Sequence, residues 1–197
     1  MGKKRQFIEE DVLDKLVIHF WKHGYSATKV DQLSEVTGLT KTSLYNAFGN
    51  KEALFLNALN YYVENTLKDL VGSLDKSMSL SFNIEKLLKS SFSLCDREVL
   101  DFGCLLTNSI VELNGNEPKL HEAVVKLYDR VREVKYKLIS YYSKAGHISK
   151  EYKADELTDY YMTVWQGLRV QSRNDHAAEK LDNSIQVFLK FIKSIER

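Results

Sequence analysis

The stretch TGLTKTSLYNAFGNKEALF, residues 37 to 55, sets Thr40, Lys41, Thr42, Ser43, Tyr45, Asn46 and Lys51 in close succession, threaded by Leu44, Ala47 and Phe48. Each of these polar types has a use on a nucleic acid. A lysine ammonium donates to guanine edges or phosphates, and an asparagine amide pairs with adenine through both its groups. A threonine methyl meets a thymine methyl, and a tyrosine hydroxyl donates to a phosphate. Upstream, Thr28 and Lys29 precede another apolar-periodic run. Thr28 and Lys51 each open a helix, where backbone N–H groups and the helix dipole favour a phosphate. The same spacing also suits an ordinary solvated helix face, so spacing alone leaves both readings open.

Three further groups carry chemistry. Cys104 follows Gly103 near the start of a predicted helix, where the N-terminal dipole would stabilise a thiolate; a buried, inert thiol is the competing reading. Asn108 and Glu112 form a polar pair at i, i+4 on a helix otherwise rich in Leu, Ile and Val, which suits either a ligand pocket or a solvent edge. His19 and His23 also stand at i, i+4, but no third ligand is evident among the five histidines. A packing or surface role is expected for them, with no metal and no cofactor.

These groups must be held by helices. With one proline in 197 residues and frequent Leu, Lys and Glu, little interrupts a helical chain. Apolar residues recur at helical spacing almost throughout. Ile8, Val12, Leu16 and Phe20 make a first stripe that Gly24 stops. Thr28, with Asp31 three residues on, predicts a capped second helix carrying Leu33 and Val36. Gly38 breaks it, Thr40 caps a third, and Asn50 caps a long fourth reaching about Leu74. A Ser-rich connection follows at 77–83, then predicted helices near 83–97, 103–114, 117–145, 154–173 and 177–195. Leu33, Val36, Leu39, Leu44 and Phe48 are expected to bury against Phe20, leaving Lys41, Thr42, Tyr45 and Asn46 outward. Two short helices about the turn at 37–39 have helix-turn-helix spacing.

Charge does not decide the matter. The net charge is +1, and residues 1–51 hold eight Lys/Arg against six Asp/Glu. The basic N-terminus lacks the apolar run of a secretory signal, and no apolar stretch reaches the ~20 residues needed to span a bilayer. Two cysteines, Cys95 and Cys104, are too few for a disulfide scaffold. A cytoplasmic chain with reduced thiols and no membrane partner is expected.

The segments FWKHGYSATKVDQL and TGLTKTSLYNAFGNKEALF resemble the TetR family of bacterial transcriptional regulators. They are similar to its Phe, Gly and Thr pattern across the first two helices, its turn, the Leu-Tyr of its recognition helix, and the Phe and Lys-Glu beyond. The match covers about residues 8–58. Thr42 stands where many relatives have Gly, Ala47 where they have an aromatic or His, and Asn50 where Ser is common.

The resemblance implies an all-α chain. A three-helix DNA-binding domain, residues 1–50, is joined through the fourth helix to a helical effector-binding and dimerisation domain, residues 51–197. It implies a repressor, not an enzyme, that a small molecule releases from a palindromic operator. It also implies a homodimer whose last two helices form the interface. Val164, Leu168, Leu181, Ile185, Phe188 and Ile192 are the candidates there. Phe92, Cys104, Leu105, Asn108, Glu112, Tyr128, Tyr136, Tyr161 and Trp165 are the candidate effector contacts. DFGCLL further resembles a Gly-Cys-Leu element of relatives that sense electrophiles or oxidants through cysteine. An all-α enzyme, and an interaction protein without a ligand, are the rival classes.

Overall fold

The computed structural model describes residues 7–93, 102–173 and 178–197. Among the described residues the regular structure is nine α-helices and one isolated antiparallel bridge, Ile148 to Glu196. The helices are α1 (Glu9–His23), α2 (Val30–Thr37), α3 (Lys41–Phe48), α4 (Lys51–Ser73), α5 (Leu80–Ser93), α6 (Leu105–Leu113), α7 (Pro118–Lys144), α8 (Ala154–Gln171) and α9 (Ala178–Ile195). The all-α expectation holds, and the predicted helices recur with shifted ends. The predicted residues 94–97, and Cys95 with them, lie outside the described residues.

Local chemistry sets those ends. α1 opens on Glu9, Glu10 and Asp11 and closes on Lys22 and His23, which complements its dipole. Ile8 is the cap residue outside that helix and is 64% exposed, so the first stripe begins at Val12. Thr28 is not the cap of α2. Its hydroxyl donates 2.6 Å to the Gly24 carbonyl at the end of α1 and is buried there. Lys29 takes the cap position, and its N–H donates 2.7 Å to Gln32 Oε1. Thr40 Oγ1 accepts from Ser43 N–H at 3.1 Å and Asn50 Oδ1 from Ala53 N–H at 2.9 Å, as side-chain caps do. α5 starts earlier than the Ser-rich connection predicts, because Ser79 Oγ accepts from Phe82 N–H at 3.2 Å.

The chain divides into two compact units, Met1–Asn65 with Leu105–Leu127, and Thr66–Cys104 with Tyr128–Arg197. The divisions fall inside α4 and inside α7, and α6 belongs to the first unit. In that unit Leu16, Phe20, Leu33, Leu44, Leu54 and Phe55 are at most 1% exposed. Burying a side chain of this size contributes about 1.5–3 kcal/mol. The rings of Phe20 and Phe55 meet edge-on at 5.1 Å. Val36 departs from the expected inward set. It is 39% exposed, because α2 is only two turns long and Leu33 already fills its contact with the core.

The second unit is built on Ile84, Leu88, Leu138, Leu157, Leu168 and Phe188, among other buried residues. A buried polar tie sits within it. The two hydrogens of Asn83 Nδ2 are shared among the carbonyls of Asp75 and Ser79 and Tyr142 Oη, while its Oδ1 accepts from Asp75 N–H. Every polar atom of this amide is used, so its burial carries no desolvation penalty left unmet.

Candidate nucleic-acid interface

The turn between α2 and α3 is fixed by its own residues. Gly38 closes α2 at φ 73° and ψ 9°, a left-handed conformation that glycine adopts without strain. Thr37 Oγ1 donates 2.6 Å to the Leu33 carbonyl, and Ser34 Oγ donates to the Leu39 carbonyl across the turn. Leu44 and Phe48 are buried, Leu39 is half-buried, and the Phe48 ring meets Phe7 at 6.2 Å. With α3 anchored on that side, Lys41, Thr42, Tyr45 and Asn46 are exposed on the other, together with Thr40. Ser43 is half-buried, its hydroxyl 2.9 Å from Thr40 Oγ1. Lys41 Nζ lies 2.6 Å from Asp31. An exposed pair of this kind is worth ~0–1 kcal/mol and gives way readily to a phosphate.

Two predicted contacts are placed differently. The Thr28 side chain is turned inward, as above, while Lys29 beside it is exposed. Lys51 opens α4, but its ammonium lies 4.4 Å from the centre of the Tyr25 ring. Burial holds its pKa below the ordinary value, with Glu112 and Glu117 acting the other way.

Glu112 also belongs to this unit. Its carboxylate accepts from Tyr25 N–H at 3.0 Å and Ser26 N–H at 2.7 Å. These amides lie between α1 and α2, so the carboxylate fastens the loop from which the helix-turn-helix springs. Glu112, expected among the effector contacts, is thus engaged as a loop anchor within this unit. Leu105 is buried and Asn108 half-buried on the same helix. His19 is buried, its ring 4.6 Å from that of His23. Burial, then His23, holds its pKa below the ordinary value. Among the described residues no group of three His, Cys, Asp or Glu is arranged to hold a metal.

The second unit brings together several of the other effector candidates, and adds two residues that sequence reasoning missed. Tyr161 is 1% exposed and stacks on Phe188 at 5.7 Å. Trp165 meets Tyr161 at 6.2 Å and Phe92 at 5.9 Å. Among these rings lie Lys135, 1% exposed, and Arg169, 7% exposed. Lys135 Nζ is 4.2 Å from the Trp165 ring centre and 4.6 Å from that of Tyr161. The Arg169 guanidinium is 5.0 Å from Phe92 and 5.6 Å from Trp165. Lys135 Nζ, Arg169 Nε and Nη1, and Tyr161 Oη have no hydrogen-bond partner.

This is an expensive arrangement. Withdrawing each charge from water costs several kcal/mol even after relaxation, whereas a desolvated cation over a ring recovers only about 2 kcal/mol. Burial accordingly pushes the Lys135 ammonium down to about 7, Cys104 opposing that shift and Arg169 adding to it. Burial also holds the Tyr161 hydroxyl above the ordinary phenol range. A Cβ on Gly103 would lie 3.1 Å from the Arg169 carbonyl. That close approach lays the segment carrying the half-buried Cys104 along the end of α8. Tyr128 and Tyr136 are half-buried on α7. The missed cations had a signal: Leu127, Val131, Lys135, Leu138 and Tyr142 fall four, four, three and four apart, so Lys135 sits in an apolar stripe.

Comparison with known proteins settles the family. Residues 12–58 match "Bacterial regulatory proteins, tetR family", and residues 83–188 match "Tetracyclin repressor-like, C-terminal domain". The chain belongs to the TetR family. The chain is 25% identical to the HTH-type transcriptional repressor BdcR of Escherichia coli (strain K12), over 98% of this chain and 93% of BdcR. A TetR-family structure from Chloroflexus aurantiacus J-10-FL shares 25% identity at TM-score 0.81, covering 95% of each chain. The regulator CifR, solved as a cysteine mutant with 26-base-pair double-strand operator DNA, superposes at TM-score 0.84 with 24% identity, covering 96% of this chain and 98% of that one. This TetR-family chain is a DNA-binding transcriptional regulator and not an enzyme. Its α2–α3 pair is the helix-turn-helix, and among the described residues no helix is long and apolar enough to cross a membrane.

Proposed function

We propose that this regulator is a cytoplasmic repressor that grips a palindromic operator as a twofold dimer and is released by a small-molecule effector. The observation that carries the reading is the face of α3. Lys41, Thr42, Tyr45 and Asn46 are exposed while Leu44 and Phe48 are buried behind them, so the helix offers donors and a methyl at fixed positions. Residues 1–50 are the reading part and 51–197 the effector-binding and dimerising part. Lys41 and Tyr45 contact phosphate or guanine, and Asn46 reads adenine. Lys29, Thr40, Thr42 and Ser43 flank that contact, with Thr28 and Lys51 supporting it from behind.

Within the last two helices the dimer reading draws on further residues beside the candidates the resemblance gave. Leu168, Ile185, Phe188 and Ile192 are 2–8% exposed within their own protomer, so they mainly fill its core and offer a partner little surface. Val164 and Leu181 are half-buried against the same core. On α8, Tyr160, Thr163, Gly167 and Val170 are exposed at spacings of three and four, and Val187 is exposed on α9. This outer row is the one we assign to the partner subunit, with recognition helices then ~34 Å apart on the operator.

Fluorescence anisotropy against DNA from the chain's own upstream region tests the reading, with sedimentation reporting twice 22.8 kDa. A Lys41→Ala, Tyr45→Ala double variant is expected to lose about 100-fold in operator affinity and to flatten the salt dependence. Unchanged affinity and salt slope in that variant would overturn the assignment of this face.

A second reading is favoured by the position of Cys104, half-buried and close enough to Lys135 to act on its charge. In it the Cys104 sulfur bonds to the β-carbon of an activated alkene, the alkene π bond breaks, the α-carbon takes up a proton from water, and the modified protein leaves the operator. A Cys104→Ser variant that still responds fully to electrophiles ends that reading.

A further inference from the structure

Lys135, Arg169 and Tyr161 are each more than nine-tenths buried and present four polar atoms without a hydrogen-bond partner. The two cations flank one indole, both within 5.6 Å of the Trp165 ring centre. Among the described residues no carboxylate is paired with either. Folded proteins bury like charges together at considerable cost, and rings do not supply an opposite charge. Since the described residues supply no such charge, an anion brought from outside the chain would satisfy all four atoms.

We infer that Lys135, Arg169 and Tyr161 form a head-group subsite for a small carboxylate-bearing effector whose apolar body lies against Trp165 and Phe92. The inference rests on the effector-release reading and names the chemical class of the effector. An ammonium, two guanidinium nitrogens and a phenol are all donors, and a carboxylate is acceptor-only, with two oxygens that take several such bonds. The walls set the rest of the ligand. Phe92, Trp165 and the Tyr161–Phe188 stack are aromatic, which favours a monoanion with an apolar body over a heavily hydrated dianion such as phosphate.

The test uses full-length protein carrying Trp21→Phe, which leaves Trp165 as the only indole. Benzoate, phenylacetate, hexanoate and octanoate are titrated beside their primary amides, with Trp165 fluorescence and melting temperature as readouts. At least one acid is expected to bind about tenfold or more tighter than its amide. Lys135→Met and Arg169→Met should each weaken that acid by roughly 30-fold or more, in proteins that remain folded. If no acid is preferred over its amide, or if both variants bind the acid as the parent does, the subsite is wrong. Operator affinity in the same samples separates the two readings. An acid that binds through Lys135 without loosening the operator keeps the subsite and overturns release. A neutral ligand that releases the operator while no acid binds overturns the subsite and leaves release standing.

Discussion

Glu112 and Lys135 are both charged residues on otherwise apolar helix faces, and their surroundings are opposite. The Glu112 carboxylate is met by two backbone N–H groups, from Tyr25 and Ser26. The Lys135 ammonium is more deeply buried, has no hydrogen-bond partner, and lies over two aromatic faces with Arg169 and Cys104 near enough to act on its charge. The first charge is used up within the chain, and its job is to hold the loop that presents the helix-turn-helix. The second is left over. A charged residue on an apolar face thus marks a ligand site only when the chain itself does not answer it.

The largest effect is expected from removing the answered charge. Glu112→Ala leaves the amides of Tyr25 and Ser26 without their acceptor, and hydrogen bonds to a charged group are the stronger kind. The variant should lose about 3 kcal/mol of stability, read by urea denaturation, and should weaken operator binding because α2 and α3 are less firmly placed. Stability within experimental error of the parent would show that water replaces the carboxylate, and the contrast with Lys135 would collapse.

Removing the unanswered charge should act in the opposite direction. Lys135→Met keeps the length and apolar stem of the side chain and takes away the buried ammonium. Replacement of buried charge by packed hydrophobe is often stabilising, and about 2 kcal/mol is expected here at neutral pH without ligand. A destabilised Lys135→Met protein would mean that the ammonium has a partner within the chain.

How much of this was legible depends on the reach of each interaction. The α3 face was readable because its determinants are local. Thr40 caps from within four residues, Gly38 makes the turn, and Leu44 and Phe48 share a face by helical period. Thr28 was misread because its hydroxyl had two local uses and the carbonyl of Gly24 took it. Glu112 was singled out correctly as unusual, but its partners are 86 and 87 residues away in the chain, and periodicity carries no such information. The resemblance assigned the last two helices to an interface, and the candidates taken from them, Leu168, Ile185, Phe188 and Ile192, are buried within their own protomer. The exposed row of Tyr160, Thr163, Gly167 and Val170 is weaker in hydrophobicity and was passed over. Lys135 was hidden by the many surface lysines of α7, although its place in the stripe set it apart.

A smaller effect per step, read one pH unit at a time, isolates the buried charge most cleanly. The ordinary lysine value is 10.5, and in the folded chain Lys135 is pushed down to about 7. Below about pH 7 folded and unfolded chains both hold the proton, so the group contributes no pH slope. Between about 7 and 10.5 the unfolded chain holds a proton that the folded chain lacks, so stability rises with pH there, by at most about 1.4 kcal/mol per unit. Of the other groups packed on it, burial holds the Tyr161 hydroxyl above the ordinary phenol range. Cys104 is the remaining titratable neighbour, and replacing it by Ser in both proteins removes it. In that background, denaturation between about pH 7.5 and 9.5 should show the advantage of Lys135→Met shrinking as the pH rises. Parallel profiles for the two proteins would mean that the ammonium is as well solvated in the fold as out of it. A saturating carboxylate should flatten the parent's profile, because a bound anion restores the proton to Lys135 and removes the difference between the folded and unfolded states.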